Sequence, residues 1–319
     1  MQKPPIHLKE VDRVEILVLI DNYVNVLIGG NEVVTRPALA KDGKIPSDTF
    51  LAEHGLSLLI TVFRGEEQHT ILFDAGYTNV GVLYNLERLE VDTDRIEAIV
   101  VSHGHMDHTG VLYSILDRIP GRVPLVVHPH VFFSPRYQKT DDGTKNLFPK
   151  TIERSKLEEH GAEIMEKETP TTLADHSILV TGEVERVTSF EKGFPNAFME
   201  RKGRLEKDTI ADDQAIAAVL HGNRLVVISG CAHSGIINTI LYCKKLTGIE
   251  NVHTVIGGFH LTGPVFEPII DDTILELKKM SPEVIVPMHC TGWEATQRFS
   301  HEFPTSFILN SVGSKYTLS

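Results

Sequence analysis

The chain has 319 residues, of which 41% are hydrophobic and 23% are charged, a composition typical of a globular protein with a sizeable core. Its formal net charge of −12 argues against nucleic acid as a partner, because proteins that bind polyanions normally present a basic face. No apolar run approaches the ~18 residues of a membrane-spanning helix, so the sequence predicts no membrane partner either.

Cysteine usage and the N-terminal residues bear on the cellular compartment. The three cysteines, Cys231, Cys243 and Cys290, have no spacing typical of disulfides, which favours a reducing environment. Residues 1–15 lack the apolar run of a signal peptide. We therefore predict a cytoplasmic protein, whose oligomeric state the sequence leaves open.

Short runs rich in valine and isoleucine predict β-strands along the whole chain. In order they are 14–20, 56–63, 70–76, 96–102, 123–130, 177–182, 215–220, 224–230, 252–258 and 283–289. Apolar residues at helical spacing predict helices at 109–118, 151–160, 234–246 and 271–280. Each half of the chain begins with strands and ends in strand–loop–helix units, which predicts one α/β domain over 1–319 with two similar halves.

Two ranges are more charged than their surroundings, 139–175 and 191–213. We predict that both are surface excursions from the domain. They could partly cover a site, but for most of their residues a solvated loop is the expected state.

One ten-residue pattern occurs twice, as "DHTGVLYSIL" at 107–116 and "AHSGIINTIL" at 232–241. Each copy follows an apolar strand, and Thr109 and Ser234 suit the N-cap positions of the helices that begin there. The pattern predicts one supersecondary unit used twice. The alternative is a chance likeness between two amphipathic helix starts.

The strongest chemical signal is "SHGHMDHTG" at 102–110. In a tight loop after a strand, His103 and His105 can converge on one cation, and Asp107 and His108 can face a second cation. Imidazole nitrogen and carboxylate oxygen are ligands that borderline divalent ions accept. The alternative is a polar helix start with a capping aspartate and chance histidines.

A centre of two ions needs ligands from further strand ends. His233 and His289 each follow an apolar strand, and His233 also stands where the repeated pattern has His108. We predict that both are metal ligands. The alternative for each is a capping or core histidine that bonds to the backbone.

Other residues at strand ends are weaker candidates. Asp74 could orient a ligating imidazole or cap a loop. His260 could steady a developing oxyanion, and His128 could do the same or contact the substrate. The thiols of Cys231 and Cys290 could be soft ligands or simply pack. The remaining candidates are Asn22 with Asp21, in a site or a turn, and the pairs Glu53–His54 and Asp212–Asp213, at the rim.

"SHGHMDHTG" resembles the signature of the metallo-β-lactamase superfamily, whose fold is a four-layer αββα sandwich with a metal site along one edge. Further motifs narrow the resemblance to the branch described by its similarity to an archaeal 7,8-dihydropterin-6-methyl-4-(β-D-ribofuranosyl)aminobenzene 5′-phosphate synthase. The motifs are "EHGLSLLI", "ILFDAG", "DDQAIA", "LVVISGCAHSGIINTI", "VIGGFHL" and "PMHCTG".

The resemblance assigns His103 and His105 to one metal and Asp107 and His108 to the other. It also makes Asp74 the aspartate of the first motif and His289 the last-motif histidine. Where many members of the superfamily place a metal-bridging aspartate, this chain has Gly230-Cys231-Ala232-His233. One or two divalent ions per chain are therefore expected, with zinc favoured and iron or manganese also compatible.

The sequence supports three hypotheses about function. The first, which we favour at this stage, is a metal-dependent hydrolase that activates water against an ester, lactone or phosphoester, with Asp107 orienting that water and His260 catalytic. The second is a transferase that joins a pterin methyl group to a ribofuranosylaminobenzene phosphate and releases diphosphate. The third is a metal-bound sensor without turnover.

The first two hypotheses imply a small-molecule substrate that can carry phosphate. Arg136, just before the first charged range, and Arg201, in the second, could then meet phosphate oxygens. For either one alone, plain surface charge is the expected role.

Overall fold

The computed structural model describes residues 4–140 and 142–319. Its strands, in chain order, are β1 (Arg13–Ile20), β2 (Val34–Thr35), β3 (Ser57–Arg64), β4 (Glu67–Phe73), β5 (Ile96–Val100), β6 (Val123–Val127), β7 (Arg136–Lys139), β8 (Lys145–Leu147), β9 (Ala162–Glu166), β10 (Thr171–Leu173), β11 (Ile178–Val180), β12 (Ala197–Arg201), β13 (Arg204–Lys207), β14 (Ala215–Leu220), β15 (Arg224–Ser229), β16 (Val252–Gly258), β17 (Val284–Met288) and β18 (Lys315–Leu318). Each of the ten predicted strands is among them.

The α-helices lie on the outside of the sheets. They are α1 (Gly81–Arg88), α2 (Met106–Thr109), α3 (Leu112–Leu116), α4 (Arg154–Glu159), α5 (Ile236–Thr247), α6 (Ile270–Met280) and α7 (Trp293–Glu302). The helix predicted over 109–118 is in fact two short helices, α2 and α3. No helix among the described residues has both the length and the apolar character needed to cross a membrane.

Two large sheets pack face to face and carry helices on their outer faces. Their strand orders are β2-β18-β1-β3-β4-β5-β6-β9 and β10-β11-β14-β15-β16-β17. Alternate residues of each strand enter different cores: Val226 and Ile228 of β15 face the other sheet, whereas Leu225 and Val227 face α5. Because strands buried on both faces are apolar throughout, they read as continuous runs in the sequence. The predicted αββα sandwich is confirmed.

The two halves share a topology. In the first half the antiparallel pair β3–β4 is followed by β5 and β6, each parallel to its predecessor. In the second half β14–β15 is followed in the same way by β16 and β17. Strand β15 therefore corresponds to β4, and α5 corresponds to α1.

This correspondence corrects one interpretation of the repeated pattern. The first copy follows β5, whereas the second follows β15, so His108 and His233 do not stand at equivalent places in the two halves. By topology the end of β5, with His103, corresponds to the end of β16, with His260. The end of β6, with His128, likewise corresponds to that of β17, with His289.

The predicted N-caps are also wrong. Thr109 is the last residue of α2, and α5 begins after Gly235, one residue later than expected for a Ser234 cap. The buried carboxylate of Glu191 does the capping instead, because its two oxygens accept the N–H groups of Ile237 and Asn238, both at 2.8 Å.

The two charged ranges contain more regular structure than surface loops alone. The range 139–175 supplies α4, the edge strand β9 and the edge strand β10 of the two large sheets. Strands β12 and β13, from 191–213, join β7 and β8 in a small antiparallel sheet of order β13-β12-β7-β8. Strand β8, from the first range, and strand β12, from the second, thus lie on either side of β7.

Candidate metal centre

The carboxyl ends of six strands, three parallel strands from each large sheet, converge at one edge of the sandwich. β4, β5 and β6 end there from one sheet, and β15, β16 and β17 end there from the other. The ends of β5 and β15 come so close that a Cβ atom on Gly230 would lie 2.2 Å from the Ser102 hydroxyl oxygen. The predicted candidates on this edge are Asp74, His103, His105, Asp107, His108, His128, Cys231, His233, His260 and His289.

Several of these strand ends turn through the left-handed backbone region. Asp74, Ala232, His260 and His289 have φ values of 62°, 54°, 46° and 50°. This conformation is unfavourable for residues with a Cβ atom, and such strain concentrates at functional sites.

The first candidate ligand group consists of His103, His105 and His233, whose nitrogens lie within 4.8 Å of one another. Nε2 of His103 is 2.9 Å from Nδ1 of His105 and 3.2 Å from Nε2 of His233. Burial and neighbouring histidines lower the pKa of His103 and of His233 well below the ordinary value. The rings are therefore neutral and present lone pairs at close range.

The second candidate group consists of Asp107, His108, Cys231 and His289, also within 4.8 Å of one another. Nε2 of His108 lies 3.1 Å from the Cys231 sulfur, and Nε2 of His289 lies 3.2 Å from Oδ2 of Asp107. The sulfur also groups with His233 and His260. Cys231 therefore stands between the two groups, in the segment where this chain departs from the bridging aspartate of many superfamily members.

Asp74 fixes the orientation of two of the imidazoles. It accepts the Ser102 hydroxyl at 2.7 Å and the His108 Nδ1–H at 2.6 Å. The Ser102 oxygen in turn accepts Nδ1–H of His103 at 2.9 Å. With Nδ1 protonated on both rings, Nε2 of His103 and of His108 is turned into the cluster as a potential ligand.

Asn22 does the same for His289. Its Oδ1 is 3.2 Å from His289 Nδ1, and its side-chain amide donates to the His289 carbonyl at 3.1 Å. Because an amide oxygen can only accept, Nδ1 carries the proton and Nε2 directs a lone pair at the Asp107 carboxylate. Two acceptors facing each other at 3.2 Å call for a positive charge between them.

The protonation of His108 shows the same demand for positive charge. Burial opposes protonation, but the carboxylates of Asp74 and Asp107 raise the pKa of His108 to about 9. The donor set of imidazoles, one carboxylate and one thiol thus fits a borderline divalent cation, which would take the place of that proton.

His54 belongs to this edge although the sequence marked it only as a weak candidate for the rim. Its Nε2 lies 3.4 Å from Oδ2 of Asp107, and its ring lies 4.8 Å from that of His289. The adjacent Glu53 is structural, because its carboxylate accepts the N–H groups of Tyr77 and Thr78. The residues "EH" before a strand give no local signal that separates these two roles.

Two predicted residues have other surroundings. His128 is in none of the three groups of potential ligands; its Nδ1 accepts the N–H of His130 at 3.2 Å. Arg136, for which a phosphate or surface role was considered, is 5% exposed and pairs with Asp208 and Asp212. The expectation of surface charge at Arg136 is therefore wrong. Both of its partners lie in the second charged range, distant in sequence, so this pairing could be recognised only in the folded structure.

A cavity of about 350 Å³ opens beside His233 and His260. The residues around it combine aromatic rings, two lysines and the loop that caps α5. They include Phe190, Glu191, Lys192, Gly193, Lys207, Phe259 and Phe266.

Comparison with known proteins places the chain among metallo-β-lactamase-like enzymes. The model of the metallo-β-lactamase superfamily matches residues 53–187. A 7,8-dihydropterin-6-methyl-4-(β-D-ribofuranosyl)-aminobenzene-5′-phosphate synthase of Methanocaldococcus jannaschii is 33% identical over 286 residues, which cover 88% of this chain and 95% of that protein. An uncharacterized protein of the same organism is 33% identical over 83% of this chain and 93% of its own length.

Solved structures show the same fold. A metal-dependent hydrolase of the β-lactamase superfamily superposes with a TM-score of 0.70 at 23% identity, covering 96% of this chain and 98% of that one. The metallo-β-lactamase fold protein YhfI from Bacillus subtilis gives a TM-score of 0.50 at 12% identity, covering 96% and 100%.

Proposed function

Because the chain belongs to the metallo-β-lactamase superfamily, we propose that it is a metal-dependent enzyme that joins a pterin methyl carbon to the amine of a phosphorylated aromatic compound. The relative at 33% identity carries the name of such a synthase, and the likeness runs over nearly the whole of both chains. This reaction therefore takes precedence over the hydrolysis that the sequence alone favoured.

The observation that carries this proposal is the cavity beside His233 and His260. Phe190 and Phe266 supply flat apolar surface for an aromatic ring, and Lys192 and Lys207 supply positive charge for phosphate. Both lysines are exposed and line the cavity. A hydrolase of simple esters would need neither feature.

We propose that the metal is held by His103, His105 and His233 in one group and by Asp107, His108, His289 and Cys231 in the other. One or two divalent ions, zinc first and iron or manganese next, suit these donors. When bound, such an ion supplies positive charge that stabilises a departing diphosphate.

The reaction balances as a substitution at carbon. The amine nitrogen forms a bond to the pterin methyl carbon, the bond from that carbon to a diphosphate oxygen breaks, and the amine loses a proton. We assign the removal of that proton to an imidazole nitrogen of His260. Lys192 and Lys207 hold the phosphate, and the cavity walls keep water from competing with the amine.

The test is a product assay on purified, metal-loaded protein. Diphosphate release that requires both the pterin methyl diphosphate and the ribofuranosylaminobenzene phosphate, with formation of the joined product, supports the proposal. Release of diphosphate from the pterin alone, or turnover of simple esters and phosphodiesters without an amine, would instead establish a hydrolase. His103→Ala protein, expected to lack activity in either case, controls for a contaminating enzyme.

A further inference from the structure

The loop Asp208–Gln214 contacts both segments that supply the first candidate ligand group, His103, His105 and His233, which we call the all-histidine group. Oδ2 of Asp212 accepts the N–H of Gly104 at 2.8 Å, and Oδ2 of Asp213 accepts the N–H of Ser234 at 2.8 Å. Gly104 lies between His103 and His105, and Ser234 follows His233. Two consecutive carboxylates therefore hold the backbones of two ligand segments. The histidines of these segments, His103 and His233, are 130 residues apart in the sequence.

The next residue of this loop holds the exit of β5. The N–H of Gln214 donates to the Ser102 carbonyl at 2.9 Å, and its side-chain amide donates to the Val101 carbonyl at 2.7 Å. Together with the bond that the Gly104 N–H donates to Asp212, these contacts hold Val101, Ser102 and Gly104 on the path from β5 into the histidine loop. Hydrogen bonds to its backbone, two of them from side chains, thus fix the path of that loop without a bound ion.

Arg136, on strand β7 of the small sheet, binds the same loop. Its two terminal nitrogens donate to the two oxygens of Asp212 at 3.0 and 2.7 Å, and Nε lies 3.2 Å from Asp208. The arginine and both aspartates are at most 5% exposed. A bidentate pair of this kind fixes a carboxylate in direction as well as position, so Asp212 has little freedom to turn away from Gly104.

The loop adopts a strained backbone to reach this position. Ile210 has φ of 50°, a conformation that β-branched residues rarely adopt, and its N–H is held by Oδ1 of Asp208 at 2.8 Å. The histidine loop is equally confined, since a Cβ atom on Gly104 would lie 2.8 Å from the Val131 carbonyl oxygen. Strain of this kind persists where the surrounding structure enforces it, and here it places Asp212 and Asp213 between the two ligand segments.

We propose that Asp212 and Asp213 are positioning residues that preform the all-histidine site, Asp212 by holding the His103–His105 loop and Asp213 by holding the His233 loop. Neither carboxylate belongs to a group of potential ligands in the described chain. The role rests on the proposed metal centre, but the preformation itself is a property of the metal-free protein.

The first test is hydrogen exchange followed by mass spectrometry on metal-free protein. Asp212→Ala is expected to speed exchange in peptides covering 101–106 and not in those covering 231–238, and Asp213→Ala is expected to do the reverse. Asp208→Asn is the matched control, because it keeps an acceptor for Ile210 and leaves both bonds from Arg136 to Asp212 in place, so exchange in both peptides is expected to stay at the wild-type rate. Equal effects of both alanine variants on both peptides would mean a general loosening and would overturn the proposal.

The second test is cobalt binding. In the wild-type protein, Cys231 is expected to give a sulfur-to-cobalt charge-transfer band, which the all-histidine group cannot give. Asp212→Ala and Asp213→Ala are expected to weaken binding at the all-histidine group by about 10- to 100-fold while this band persists. Asp213→Asn, which keeps an acceptor oxygen for Ser234, should bind nearly as the wild type does.

The two tests separate this inference from the proposed function. If the wild-type protein binds metal but does not make the joined product, the proposed reaction fails and the positioning roles stand. If both alanine variants keep wild-type exchange and wild-type cobalt affinity, the positioning roles fail whatever the reaction is.

Discussion

The sulfur of Cys231 lies 3.1 Å from Nε2 of His108, at the point where the two groups of potential ligands meet. Burial raises the pKa of this thiol, so the metal-free protein keeps it protonated. A bound cation would displace the proton, because metals bind the thiolate.

Replacement of Cys231 by alanine is expected to abolish the sulfur-to-cobalt band and to lower the affinity for the second ion by at least tenfold. Cys243→Ala is the control, because Cys243 is also fully buried but lies on α5 and packs in the hydrophobic core. A band that survives in the Cys231 variant would come from another sulfur, with Cys290 adjacent, and would show that Cys231 is not its source. Electronic spectra during a cobalt titration provide the measurement.

Asp74→Asn is expected to weaken metal binding by about 10- to 100-fold, because an amide has one acceptor oxygen where Asp74 uses two. One oxygen accepts the Ser102 N–H, and the other accepts both the Ser102 hydroxyl and the His108 ring N–H. Asp117→Asn offers a matched control: Asp117 also lies 2.6 Å from a histidine Nδ1, that of His160, but the pair is on the surface. Competition with a chromophoric chelator measures both affinities. Equal affinities in the two variants would contradict the role of Asp74 in orienting the ligands.

Glu191 predicts a specific dependence of stability on pH. Burial raises the pKa of this carboxyl from 4.5 to about 7, so between these values the folded state binds more protons than the unfolded state. Stability should therefore fall as pH rises from about 4.5 to about 7, by at most about 3 kcal/mol from this group, and then level off.

Glu191→Gln should remove that slope, at the cost of one bond to the start of α5. Chemical denaturation of both proteins at several pH values between 5 and 8 gives the comparison. Glu153→Gln, at an exposed carboxylate paired with Lys156, is the control and should leave the slope unchanged. Parallel curves for the wild type and the Glu191 variant would contradict the assignment.

The two cavity lysines should act on substrate binding. Lys192→Ala and Lys207→Ala are each expected to raise KM for the phosphorylated substrate by roughly tenfold with little change in kcat, because each removes one charged contact with phosphate that is made throughout the reaction. Lys202→Ala, in the exposed turn between β12 and β13, should leave KM unchanged. Unchanged KM in both cavity variants would place the phosphate elsewhere.

The fold and most candidate ligands could be predicted because their signals are local. Strands buried on both faces stand out as apolar runs, and His103, His105, Asp107 and His108 lie within six positions. The same locality explains the expectations that were wrong. The N-cap residue was sought beside the helix start, whereas the carboxylate that caps α5 comes from Glu191, 45 residues earlier.

Residues whose role depends on distant partners could not be recognised in this way. Arg136 acquires its buried pair only when β7 lies beside β12, and His54 meets Asp107 only when the loop before β3 reaches the end of β5. In the sequence, both are ordinary polar residues. Their surroundings form only when distant parts of the chain pack together, and local patterns in a single sequence do not reveal such contacts.

The repeated ten-residue pattern has a consequence for the history of the chain. Its copies follow β5 and β15, which are not counterparts in the two halves, so duplication of one half cannot have produced them as a pair. In both copies the imidazole belongs to a candidate ligand group, but the hydroxyl residue and the glycine end a helix in the first copy and precede one in the second. An ancestral repeat, if one is preserved, should be sought between the segments after β4 and β15.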